Sequence, residues 1–451
     1  MERTKTFSLL EGPIIPSLLR FSVPILFALI LQTAYGTVDM AIVGYFGDTA
    51  SVSAVGTGGA IMTAITTVIT CFATGVSVTV GQYIGQNDRK AAGRTIGSAI
   101  ILFLAFALIL SVLMVAFAEQ IAVWMKAPEE AFDKTVDYIR ICSSGIVFIL
   151  AYNAISSVVR AMGDSKSPML FVAIACVANA VGDLVLVGLF DMDAAGAAIA
   201  TVGAQALSVI LSLVMLARRK DLPVEFSWRY ICLWKKEIRK ILAIGFPLAM
   251  QSALAKCSFL MINAWINDMG LIKAAGYSVS EKLISIVMLI PTAQMNSLSA
   301  FVAQNVGAQQ HKRAKDALMT GMVLGGLVGT VMFVIGFFGS GIIGRIFESD
   351  PAVLEQVALY MKGFSADCVL GCIHFALIGY MNGYGKTVAT MIQGITAAFL
   401  IRVPFSWWAA NKTSSLFIMG LATPVGTVYG IIFGIVAILY YQRRAQAPIR
   451  K

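Results

Sequence analysis

Charge is what this sequence has least of. Only 13% of its 451 residues are Asp, Glu, Lys or Arg, where a soluble chain carries about a quarter. Histidine is nearly absent, with His311 and His374 alone. A membrane-embedded transferase would want a large soluble loop or a membrane-facing His/Asp pair, so enzyme chemistry is not expected. No His–Cys set among the seven cysteines has zinc spacing. Cys368 and Cys372 are four apart on one helix, too distant for a disulfide, and the cysteines read as small apolar residues. The stretch "GTGGA" at 56–60 lacks the Lys-Ser/Thr of a phosphate loop. It reads as close helix packing by small residues, and ATP is not expected as a direct energy source. No polar segment is long enough to fold alone. The longest, residues 217–240, reads as a linker with an amphipathic surface segment around Trp228–Trp234.

What the chain has instead is hydrophobic length. Residues of apolar type make up 58% of it. Apolar runs of about 20 residues or more, each enough to cross a ~30 Å hydrocarbon core, recur throughout. Twelve spans are expected, at 17–45, 52–84, 95–118, 135–161, 168–189, 194–217, 240–267, 273–305, 314–340, 356–382, 388–410 and 416–441. The first is too long for a cleaved signal peptide and lacks an A-x-A site. The fold class is therefore all-α integral membrane, with twelve transmembrane helices.

Lys and Arg set the orientation. With the N-terminus inside, 24 of the 34 basic residues fall on inner segments. They include Arg3, Lys5 and Arg20, eight residues of the central linker including Lys220, and Arg443, Arg444, Arg450 and Lys451. Both termini are expected in the cytoplasm of a cell (inner) membrane protein. The net charge of +10 then reflects topology and contact with anionic membrane lipids. No nucleic-acid partner is expected, because the basic residues are spread over seven short segments, and the chain is expected to act as a monomer.

The chain is also a duplication. "VTVGQYIGQNDRKAAGR" (78–94) matches "SAFVAQNVGAQQHKRAKDA" (299–317), "LLRFSVP" ending at Pro24 matches "ILAIGFP" ending at Pro247, and "VDYIR" matches "ALYMK". The shift is 222–223 residues each time. Six spans per half is an even number, so the halves share one orientation as parallel repeats, which commonly enclose a central cavity in secondary transporters. The expected division is an N-terminal lobe 1–217, a cytoplasmic linker 218–239 and a C-terminal lobe 240–451.

Helix geometry places Gln32, Tyr35 and Asp39 on one face of the first span. Asn179 and Asp183 share a face of the fifth, and Thr201 lies in the sixth. Counting 1.5 Å per residue from the outer Asp48, Asp191 and Asp193 puts Asp39 about 13 Å deep, and Asp183 and Thr201 about 12 Å deep. An isolated intramembrane Asp costs roughly 2.5–3.5 kcal/mol on insertion scales. Two acids close together in low dielectric can hold a proton between them, and Asn and Thr add oxygen ligands that equally suit Na⁺. The bland reading is an acid pair that ties helices together by hydrogen bonds.

These features, in order and in both halves, resemble the multidrug and toxic compound extrusion (MATE) family along essentially the whole chain. The marks are Pro24 with Asp39 after it, "VGYFGDTASVSAVG", "GQYIGQNDRKAAGR", "VVRAMGDSKSPM", "ANAVGDLVLV", "GAAIAT", "AAGYSVSEKL" and "FVAQNVGA". The resemblance implies two six-helix bundles forming an antiporter that exports organic cations and drugs in exchange for H⁺ or Na⁺, with no other cofactor. It implies that Asp39, Asn179, Asp183 and Thr201 form the cation-coupling site, and it is closer to the DinF-like branch. A related lipid-linked oligosaccharide flippase is the alternative; its cavity would be richer in Arg and Lys.

The second half does not repeat the acids, since Asp39 falls on Met261 or Ile262 and Asp183 on Phe405 or Ser406. Its own polar residues are expected as a Lys256–Glu281 pair and an Asp367–Arg402 pair, structural or transport-related alike. His374 lies near Asp367 and reads more readily as a satisfied buried histidine than as a titrating group. Gln32, Tyr35, Asn153, Lys256, Glu281, Asp367 and His374 are candidates to line a substrate cavity. Pro24, Pro247 and Pro291 lie inside spans and are expected to kink them, Pro24 with a gating role because it shares a helix with Asp39.

Overall fold

The computed structural model describes residues 9–219 and 222–446. Arg3, Lys5, Lys220, Arg450 and Lys451, counted above toward orientation, lie outside the described residues. Every regular element among the described residues is a helix. Hydrocarbon offers backbone N–H and C=O groups no partner, so each span must close its bonds within itself.

In the first half, α1 is Ile14–Phe46, α2 Thr49–Gly85 and α3 Arg89–Ala116. The fourth span, α4, is a bent pair, Glu129–Ser144 and Ile146–Ala161, followed by α5, Lys166–Leu186, and α6, Asp193–Arg218. The second half repeats the order: α7 Lys235–Asn267, α8 Leu271–Gly307, α9 His311–Gly344, the bent pair α10 of Pro351–Phe364 and Ala366–Gly383, α11 Thr387–Lys412, and α12, Leu416–Gln446. Ten of these are long and apolar enough to cross a membrane, and each bent pair counted as one span makes twelve.

The duplication is written into the backbone as well as the sequence. The two bent pairs turn by 46° and 44° at Gly145 and Ser365. Left-handed backbone recurs at matched places: Asn87 and Gln309 (φ 57° and 59°), Gly163 and Gly385 (88° and 70°), Asp193 and Ser414 (48° each). Each such residue ends or starts a helix where the chain must turn sharply.

Two compact units emerge. One comprises Val23–Gly245, the other Leu9–Ser22 with Phe246–Lys451. The linker expected as a free segment belongs to the first unit. Its backbone lies on two glycines of α3: a Cβ at Gly93 would sit 1.9 Å from the Glu225 carbonyl oxygen, and one at Gly97 2.0 Å from that of Tyr230. The Glu225 N–H donates to the Arg89 carbonyl at 3.1 Å, and Ser98 Oγ donates to the Cys232 carbonyl at 3.0 Å. The first turns of α7 follow it, with Gly75 meeting the Ile241 backbone. In the second unit, Asn305 donates to the Leu9 carbonyl at 3.2 Å, and Arg313 to the Gly12 and Glu11 carbonyls at 2.8 and 2.9 Å. Residues 9–22 therefore leave the N-terminal lobe in which they were expected. Hydrogen bonds between distant segments decide both cases, and a span count cannot see them. Both unit borders fall within two residues of a proline, Pro24 and Pro247. Helix α1 runs unbroken through Pro24 and α7 through Pro247, while Pro291 lies just after the break at Met288 in α8.

Candidate functional site

The first unit gathers its polar side chains where α1, α4, α5 and α6 approach. Small residues bring α5 and α6 together, for a Cβ at Gly182 would sit 3.0 Å from that of Ala200. Asn179, three residues before Gly182, and Thr201, next to Ala200, face one another. The Asn179 amide nitrogen lies 3.5 Å from Asp183 Oδ1 and 3.5 Å from Thr201 Oγ1. Asp39 comes in from α1, and its carboxyl lies close to that of Asp183. Asp39, Asn179 and Asp183 are buried, with Asp183 wholly so. Asp39 Oδ1, Asp183 Oδ2 and Asn179 Oδ1 have no hydrogen-bond partner. In a buried setting each such atom costs about 1–3 kcal/mol, so the cluster holds unused capacity for a proton or a hard cation.

Tyr35 joins the cluster near Thr201 and the two acids, its hydroxyl buried without a hydrogen-bond partner. Gln32 does not, because it is exposed on α1. Asn153 donates to the Ile149 carbonyl at 2.8 Å and accepts from Thr70 at 3.4 Å. Two site residues went unread: Tyr138 and Cys142 of α4 lie beside Asp39. Tyr138 packs on Gly58, where a Cβ would stand 2.3 Å from its ring. The signal was available, because "VDYIR" and "ALYMK" pair Tyr138 with Tyr360 at the repeat shift.

In the second unit the expected ion pairs take other partners. Glu281 accepts from the Tyr277 hydroxyl at 2.9 Å, and Lys256 is exposed on α7. A lysine on an outward face can run its stem along apolar surface and keep its ammonium in a polar layer. Arg402 donates to Ser258 Oγ and lies 4.0 Å over the Phe259 ring. Asp367 is buried beside Thr427 with Oδ1 unpartnered. Residues 397–402 form a π-helical turn, and Arg402 stays near Asp367 without forming an ion pair with it. His374 is satisfied by Gln393 at 2.7 Å. Among the described residues, no group of three or more His, Cys, Asp or Glu could hold a metal ion. None of the seven cysteines forms a disulfide.

A helical membrane protein of two tandem repeats, with an acid pair buried in the first, is the class that fold and site define. The MatE family model matches residues 24–185 and again 247–408, once in each repeat, and the chain belongs to that family. It is 25% identical over 447 residues to the probable multidrug resistance protein YpnP of Bacillus subtilis (strain 168), covering 97% of each chain. It is 22% identical over 400 residues to the multidrug export protein MepA of Staphylococcus aureus (strain N315), covering 88% of this chain and 87% of MepA. Among solved structures, a MATE protein in complex with MaD3S matches with a TM-score of 0.90 at 18% identity, over 98% of this chain and 100% of that one. An outward-facing multidrug resistance MATE family transporter matches with 0.89 at 18% identity, over the full length of both.

Proposed function

We propose that the protein exports organic cations by antiport, and that the returning ion is a proton carried on the Asp39–Asp183 pair. One observation carries this reading. The two buried carboxyls lie close together, and among the described residues no basic side chain forms a salt bridge with either. A hydrogen bond between two carboxyls requires one proton, so gaining or losing that proton changes how α1 and α5 attract each other. Alternating access follows if the protonated and deprotonated forms favour different states. The multidrug names of YpnP and MepA support the cargo class. Sodium is the second reading, favoured by the three unpartnered oxygens of Asp39, Asp183 and Asn179. Lys256 in α7, where some MATE branches carry a Glu, argues against a sodium site in the second half, and the overall motif pattern favours the DinF-like branch. The basic inner segments support a reading with both termini in the cytoplasm and the chain in the inner membrane.

Ethidium efflux from cells, with the proton and sodium gradients collapsed separately, tests the reading. Loss on proton collapse alone is the expected result. Loss on sodium collapse alone selects the second reading, and efflux that survives both collapses overturns ion-coupled antiport.

A further inference from the structure

One charged cluster of the first unit lies outside the site described above and directly over it. Lys134, in the first piece of α4, donates to both oxygens of Asp48 at 2.9 Å, to Ser51 Oγ at 2.9 Å and to Asp193 Oδ2 at 2.8 Å. The partners come from separate elements. Asp48 follows α1 and caps α2 through the Ser51 N–H at 2.7 Å, and Asp193 opens α6. Without the ammonium, Asp48 and Asp193 would be left as neighbouring like charges. The bond from Lys134, and after it those from Ser51, hold the Asp48 carboxyl well below the usual carboxylate range.

The register of α4 connects this cluster to the acid pair. Lys134, Tyr138 and Cys142 are spaced i, i+4, i+8 and so form one stripe down the helix. Tyr138 and Cys142 are buried, and both lie beside Asp39. Asp48 stands nine residues beyond Asp39 on the α1 side, and Thr201 eight residues beyond Asp193 on α6. One ammonium therefore ties together the ends of the segments that supply Asp39, Tyr138 and Thr201. Helix α1 otherwise approaches its neighbours sparsely, so a polar tie at its end matters more than a surface ion pair elsewhere would.

We propose that Lys134 is a positioning residue, an ionic latch that closes this end of the first unit over Asp39 and Asp183 and limits access to them. The proposal rests on the ion-site reading of those two acids. Release of the latch frees the end of α1 and opens a path down the α4 stripe toward the pair.

Cys142 is a built-in reporter, 1% exposed and two turns below Lys134. The other six cysteines are replaced by Ala, the protein is placed in lipid nanodiscs with both faces accessible, and labelling of Cys142 by a water-soluble maleimide is timed by mass spectrometry. Lys134→Gln is expected to label about tenfold faster than the parent, since labelling tracks the opened population. Lys134→Arg keeps the charge and is expected to stay within about twofold. Asp193→Asn gives an intermediate rate, and adding it to Lys134→Gln brings no further increase, because the two act through one contact. An unchanged rate in folded Lys134→Gln overturns the latch, as does an unchanged rate in Asp193→Asn should Lys134→Gln not fold. Labelling does not require export. Normal efflux in Asp39→Asn and Asp183→Asn would overturn the ion-site reading and leave the labelling result standing.

Discussion

At a repeat shift of 223 residues Arg402 falls on the place of Asn179, so a cation stands in the second unit where the first has an amide. Asn179 lies between Asp183 and Thr201 in the first unit. Arg402 carries a positive charge into the corresponding helix of the second, where it bonds Ser258 and covers Phe259. Removing it deletes a charge-assisted bond and a cation–π contact. Arg402→Ala is expected to destabilise the protein by about 1–3 kcal/mol. Arg402→Lys recovers only part of that, because an ammonium cannot reproduce the planar stack. Thermal unfolding in detergent reads both.

Asp39→Asn and Asp183→Asn keep shape and remove the titrating group. Each is expected to abolish drug export while eluting as a folded protein on size exclusion. Normal efflux in both would end the case for the acid pair. Thr201→Val, which deletes a ligand oxygen and keeps volume, is expected to weaken efflux severalfold if sodium is the ion and far less if it is the proton.

Gly58 leaves the space that Tyr138 fills. A methyl group there overlaps the ring, and Gly58→Ala should cost about 1–3 kcal/mol through forced repacking. Because Tyr138 lies beside Asp39, efflux should fall as well. Adding Tyr138→Ala relieves the clash, so the double variant should be more stable than the sum of the two single losses predicts.

Asp164 lies between α4 and α5, where it accepts from the Lys166 and Ser167 N–H groups at 3.0 Å each, and from Ser167 Oγ and Arg219. Burial pushes its pKa up, but the bonds from Ser167 and Arg219 outweigh this and the carboxyl titrates below its ordinary value. A depressed carboxyl contributes stability that is fully present above the unfolded pKa and is lost as pH falls through the folded one. Thermal stability should therefore drop as pH falls below about 4, with Asp164→Asn less stable at neutral pH and losing less over the same interval.

Much of this molecule could be read from its residues, and the parts that could not share a cause. Span lengths, the 222–223 residue repeat and the common depth of Asp39, Asp183 and Thr201 follow from rise per residue and hydrophobic length. Asn179 came with them because it lies one turn from Asp183. Tyr138 and Cys142 were missed because depth says nothing of which way a neighbouring helix turns its face. Arg402 was paired with Asp367 across two spans, and it lies near that acid but bonds Ser258 and covers Phe259. Lys134 counted only toward orientation, since its bonds to Asp48 and Asp193 cross 86 and 59 residues of sequence. Gln32 was grouped with Asp39 by helix spacing and Lys256 was paired with Glu281, yet both side chains are exposed.

The strap of residues 222–234 on α3 bears on how this chain can be cut and joined. Its carbonyls at Glu225 and Tyr230 press on Gly93 and Gly97 so closely that no other side chain fits beneath them. A permutation or split-protein design that opens the chain at 219–222 would carry the strap away on the C-terminal fragment and strip it from the helix it covers. A cut after Trp234 keeps the strap with its glycines, and two fragments divided there are the pair to co-express when one half is to be labelled without the other.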